Sequence, residues 1–188
     1  MTLNKLAALA ACLTLVLSCT STVAQQQAEP PATVAGPASA AEISKRLAVR
    51  HIEDLPDAEG LAKYANAEAA LVFIADNDDK MVVRVRALTL LRHYPSPRTL
   101  SFLSERAVGA DLHPTVKAGA MRGLEGHNDV STVVALLTKG MRDKDVRVAI
   151  AAARSLAADP QHAAALKAAG EDPEVSEQLR EKIKKGEL

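Results

Sequence analysis

Apolar residues recur at steps of four from residue 83 onward, as Val83, Ala87 and Leu91, then Val116, Ala120 and Leu124, then Val148, Ala152 and Leu156. Steps of four lie along one face of a helix, and Leu88, Met121 and Ala153 widen the stripe, so each set predicts an amphipathic helix. These are the A helices. An aspartate precedes each valine by five residues (Asp78, Asp111 and Asp143), and the unit therefore recurs with periods of 33 and 32 residues.

A second, B helix follows each A helix after a turn. Pro95-Ser96-Pro97 introduces residues 98–108, Asn128-Asp129 introduces 130–141, and Asp159-Pro160 introduces 161–169. Proline and Asx residues suit helix starts, where the first amides lack intrahelical acceptors. Leu100 and Leu103 align with Val133 and Leu136 as inward positions. Neither helix buries its apolar face alone, so neighbouring units are expected to stack. The flanks are less regular, as capping units are. Ile43, Leu47, Ala48 and Ile52 suggest a helix before Pro56, residues 58–65 a short one, and 67–75 a B-type helix before Asp78. Val175, Leu179 and Ile183 repeat the four-residue step after Pro173. The expectation is an all-α domain over 41–188, a short α-solenoid of stacked antiparallel helix pairs with about nine helices.

The units resemble the HEAT repeat, particularly the short bacterial form related to phycobilisome lyases, which carries Asp before a Val-Arg pair and then Ala and Leu. The pair is Val83-Arg84 in the first unit and Val116-Lys117 in the second. In the third, Ala149 follows Val148 and the basic residue is displaced to Arg147. The resemblance covers residues 78–156. It implies B helices along the concave face, where HEAT-type solenoids commonly bind protein partners. On that face Arg98, Glu105 and Arg106 of one unit and Ser131, Thr138 and Lys139 of the next are the expected partner-binding residues, with Arg106 and Lys139 aligned as neighbouring positive charges. Arg86, Arg122 and Arg154 are the expected exposed bases of the A-helix face.

The N-terminal part reads differently. Lys5 followed by the 12-residue apolar run 6–17 has the form of an export signal, too short to span a bilayer. Val16-Leu17-Ser18-Cys19 resembles the lipobox of bacterial lipoproteins, which makes 1–18 the signal peptide and Cys19 the lipidated residue. Thr22-Val23-Ala24 offers ordinary cleavage before Gln25 instead. Leu9-Ala10-Ala11-Cys12 fits the lipobox consensus better, but only six apolar residues precede it. Both cysteines also fit as small apolar members of the signal. Thr20 is not the aspartate that retains many lipoproteins at the inner membrane, so the resemblance points to the periplasmic side of the outer membrane; cleavage after Ala24 would leave a soluble periplasmic protein. Residues 19–40, with Pro30, Pro31 and Pro37 and Glu29 as the only charge, have the composition of a disordered tether.

Composition narrows the chemistry. Hydrophobic residues make up 48% and aromatics 2%, with no Trp, which calls for a core of small and aliphatic side chains. Bases and acids balance at 23 each, leaving no positive field for nucleic acid. Both cysteines precede residue 20, so the rest of the chain has no disulfide, thiol nucleophile or cysteine metal ligand. His51, His93, His113, His127 and His162 show no metal-ligand spacing, and the repeated His-Glu dipeptides of HEAT-fold iron oxygenases do not occur. His93, His127 and His162 fall near the A-to-B turns and read as polar turn residues. There is no Gly-rich phosphate loop and no Gly-x-Ser-x-Gly elbow. The acidic pairs Asp78-Asp79 and Glu53-Asp54 suit loops or helix ends. The expected function is therefore a non-catalytic, cofactor-free scaffold or adaptor of the cell envelope with a protein partner, and membrane contact through the lipid if Cys19 is acylated. A helical envelope enzyme or enzyme subunit is the alternative, and a structural spacer a third class.

Overall fold

The computed structural model describes residues 38–51 and 55–188. The export segment, Cys12, Cys19, most of the tether, Ile52 and the Glu53-Asp54 pair lie outside them. Within the described residues the chain forms ten α-helices and no strand: α1 Ala40–Leu47, α2 Ala58–Ala62, α3 Ala67–Asn77, α4 Met81–Leu90, α5 Pro97–Val108, α6 Pro114–Gly123, α7 Ser131–Gly140, α8 Val146–Ala157, α9 Ala163–Glu171 and α10 Glu177–Lys185.

The A helices are α4, α6 and α8, and each starts three residues after its aspartate. Asp78 and Asp143 work alike at these turns, for the Oδ1 of each accepts the amide two residues on, at 2.9 Å. Asp172, ahead of α10, does the same for Glu174 at 2.9 Å. The turn before α6 is built differently, for among the described residues Asp111 accepts no such amide and His113 Nδ1 accepts that of Thr115 at 3.2 Å. α5 packs most extensively on α6 and α7 on α8, B helix on following A helix. The A-to-B link is longer: a 3-10 turn (Leu91–His93, Leu124–His127 or Pro160–His162) lies between A and B helices. The tightly packed hairpin is thus offset from the A-then-B unit that the sequence period suggests.

The A helices stack in order, α4 on α6 and α6 on α8. Small residues permit the approach. Ala87, Ala120 and Ala152 are fully buried, and Gly119 and Gly123 of α6 face α4 so closely that a Cβ at Gly123 would lie 2.4 Å from the Leu88 carbonyl oxygen. Leu88, Leu91, Leu124 and Leu156 complete the core beside them.

The B helices follow a register that the repeat period does not predict. Thr99, Leu103 and Ala107 are the buried positions of α5; Val133, Leu137 and Met141 of α7 and its cap lie 34 residues on, with Gly140 buried beside them. Leu100 and Leu136, expected to point inward, are only partly buried. The longer link after α6 inserts one residue before α7, and each B helix rotates to fit the A helix that follows it. Capping differs at one turn as well. Ser96 caps α5, accepting Thr99 N–H at 3.1 Å, but the Asn128 side chain leaves α7 uncapped and donates to the Ser155 carbonyl at 2.5 Å.

Candidate protein-binding face

The expected partner-binding residues lie on α5 and α7, and the fold treats them unequally. Arg98 is exposed, and its charge acts on Glu68 of α3. Glu68 accepts hydrogen bonds from the hydroxyls of Ser96 and of Thr99, the latter at 2.6 Å. Burial works to raise the Glu68 pKa, yet the two hydroxyls and Arg98 together hold it below the usual carboxylate range. This cluster fastens the start of α5 to α3.

Arg106 is not left for solvent. Its guanidinium binds Asp76 of α3 through both carboxylate oxygens, at 2.9 and 3.0 Å, contacts Glu105 at 3.1 Å and lies 4.0 Å over the Phe102 ring. Its side chain is 25% exposed as a result. Nor does it share a structural position with Lys139: with the 34-residue register, Lys139 corresponds to Glu105. The expected pair of adjacent charges is therefore one bound arginine and one lysine. Thr138 spends its hydroxyl on the Val134 carbonyl of its own helix, at 2.8 Å. Glu105 and Ser131 are exposed, and Glu105 accepts the Ser101 hydroxyl at 3.3 Å. Lys139 is exposed, and its ammonium forms no ion pair among the described residues.

Between the ends of α5, α6 and α7 lies a cleft of about 450 Å³. Ala107, Val108, Met121, Leu136 and Gly140 give it an apolar lining, and Lys117, Lys139, Arg142 and Asp143 supply its charges. Val108 is 54% exposed, one of three exposed large hydrophobic residues among the described residues, with Met81 and Val82. Sequence periodicity alone did not single out this cleft, because Val108 and Leu136 belong to different helices and their proximity depends on the B-helix register. The cleft is compatible with the packing on either side: A helices meet through alanine and glycine, whereas α5 and α7 touch less extensively.

The neighbouring charges are mostly spent. Lys117 donates to Asp143 at 2.6 Å, and Arg142 reaches Asp172 at 2.6 Å and Glu174 at 3.2 Å. Lys117–Asp143 is the one rung that links a Val-Arg-type basic residue to the aspartate of the next unit. Arg84, in the same place one unit earlier, instead donates to the Ala75 carbonyl at 2.9 Å, and Arg147 folds onto Asp145 at 2.7 Å. The latter pairing brings Asp145 down to about 2, through the Arg147 side chain first and with burial opposing.

The A-helix bases are also not equivalent. Arg86 donates to the carbonyls of Leu47 and Val49, at 2.7 and 2.6 Å, and so caps the end of α1. Arg122 is partly buried, and burial and then the charge of Arg154 lower its pKa. Arg154 is exposed.

Two turn histidines prove to be structural. His127 is 3% exposed, with its Nε2 unpaired, and burial holds its pKa below the usual value against the opposing charge of Asp129. His162 Nε2 lies 3.0 Å from the Asn128 carbonyl and so ties the third turn to the second. His93 is partly exposed, and burial and Arg92 lower it against Asp57 and Glu125. Among the described residues no three His, Cys, Asp or Glu side chains converge as metal ligands, and no helix is long and apolar enough to cross a membrane.

The chain matches no protein-family model, no curated protein and no solved structure at a significant level.

Proposed function

We propose that this protein is a non-catalytic protein-interaction module of the bacterial cell envelope, built as a short HEAT-type α-solenoid and tethered at the outer membrane through a lipid on Cys19. The solenoid reading is supported by three A helices that start at a fixed distance from Asp78, Asp111 and Asp143 and stack through equivalent alanines. The observation that carries the function is the cleft between α5 and α7: an apolar lining that reaches the surface at Val108, beside a lysine with no ion pair among the described residues. Apolar surface next to spare polar donors is the usual make-up of a small recognition site.

Two measurements test the reading. Affinity purification from solubilised membranes should retain a defined partner that Val108→Asp loses while its thermal melt stays wild-type; retention by that variant would remove the α5–α7 face from consideration. Intact-mass analysis should give a mature chain that begins at acylated Cys19, since stable anchoring takes more than one acyl chain. A soluble protein beginning at Gln25 would remove the tether and leave a free periplasmic module.

A further inference from the structure

The cleft between α5, α6 and α7 carries more information than its location, because its size, lining and charge together restrict what fits. At about 450 Å³ it holds a side chain or two, not a folded domain or an extended helix. Its apolar contacts come from Ala107, Val108, Met121 and Leu136, which offer no hydrogen-bonding group to an inserted chain. Gly140 lets α7 pack closely on α6 and α8 beneath it: a Cβ there would lie 2.7 Å from the Met121 terminal methyl and 3.0 Å from the Ala152 Cβ.

The charges differ in what each leaves free. Three bases and one acid line the cleft. The acid is fully committed, because Asp143 Oδ2 holds Lys117 at 2.6 Å and Oδ1 holds the Asp145 amide at 2.9 Å. Arg142 is directed to Asp172 and Glu174. Of the bases lining the cleft, Lys139 alone has no counter-charge among the described residues. An occupant that inserts an aliphatic group and brings a carboxylate to its rim meets both features; a basic occupant would set a like charge against Lys139.

We infer that the cleft is a docking site for an acidic segment of a partner protein, in which one large aliphatic side chain enters between Val108 and Leu136 and a neighbouring carboxylate pairs with Lys139. This rests on the interaction-module reading above and adds the chemistry of the partner. Specificity then comes from two groups on different helices, set in place by the α5 and α7 registers.

An amide NMR titration of the chain with a short, end-blocked peptide of glutamates around a single leucine is the test. The amides of Val108, Lys139 and Gly140 should shift saturably. Lys139→Glu should weaken the affinity by about tenfold, as loss of a favourable charge contact and gain of a repulsive one would. Lys144→Glu, the same charge change at an exposed position outside the cleft, should leave it within about twofold. Peptides with lysines in place of the glutamates, or serine in place of the leucine, should bind at least about tenfold more weakly. Equal affinity for the Lys139→Glu protein, equal binding of the lysine peptide, or shifts centred elsewhere would each overturn the proposal. If peptide binding fails in any of these ways while Val108→Asp still abolishes capture of the membrane partner, the acidic anchor is wrong and the docking face survives; if Val108→Asp affects neither, the face itself is wrong.

Discussion

Replacing Gly126 with alanine tests how the 3-10 turns of successive units meet. Gly126 lies in the turn Leu124–His127, and a Cβ there would sit 2.0 Å from the Arg92 carbonyl oxygen and 2.9 Å from its carbonyl carbon. Both atoms are backbone, so no side-chain rotation relieves the clash, and the two turns must separate or α6 must shift on α4. Overpacking of this kind costs roughly 1 to 3 kcal/mol, and contact with backbone argues for the upper end. Alanine also restricts the unfolded chain, which stabilises by about 0.4 to 1 kcal/mol where the native backbone angles suit it; Gly126 is not among the positive-φ glycines. The net expectation is a loss of about 2 kcal/mol, or roughly 4 to 8 °C in Tm for a domain of this size. Urea melts followed by circular dichroism should show a lower midpoint with an unchanged slope, because the surface exposed on unfolding is the same. Gly186→Ala is the contrast: its φ of 67° strains alanine, but nothing lies within 4 Å, so only the end of α10 should loosen. A Gly126→Ala protein as stable as the wild type would mean that the two turns are not in contact.

Ala120 and Leu124 are both fully buried in α6 and the turn after it, so Ala120→Leu should cost roughly 1 to 3 kcal/mol by overpacking and Leu124→Ala roughly 2 to 5 by leaving a cavity; neutral melts for Ala120→Leu would disprove the stacking of A helices through alanine. Burial lowers the pKa of His127 in the folded chain from its ordinary 6.5, so protons favour the unfolded state: the stability is full above about pH 6.5 and declines as the pH falls through 6.5 toward the folded value. His93 acts in the same direction, and His127→Gln should flatten part of the slope in thermal melts between pH 7.5 and 5.5, whereas an unchanged slope would show that His127 is not buried neutral. Arg106→Glu would set a third carboxylate against Asp76 and Glu105 and should cost about 1 kcal/mol, while Lys139→Glu, which breaks no ion pair, should stay within about 0.5. Equal melting points for these two variants would contradict the bidentate Arg106–Asp76 contact.

The division between sequence and tertiary structure follows the range of the forces involved. Steps of four apolar residues act within one helix, and the turns at Asp78 and Asp143 are closed by hydrogen bonds two residues long, so the A helices, their starts and their buried alanines were legible in the chain. Pro95-Ser96-Pro97 likewise announced the capped start of α5, since a cap is satisfied by its own neighbours. The B-helix register was not legible. Whether Leu136 or Leu137 turns inward depends on which A helix supplies the facing surface and on one extra residue in the link, and both are apolar in the sequence. The site residues divided in the same way. Arg106 and Lys139 look alike along the chain, but Asp76, 30 residues away, binds one and nothing among the described residues binds the other. Likewise His127 reads as a polar turn residue until the helices around it exclude water, because burial is a property of the stack and is carried by no single residue.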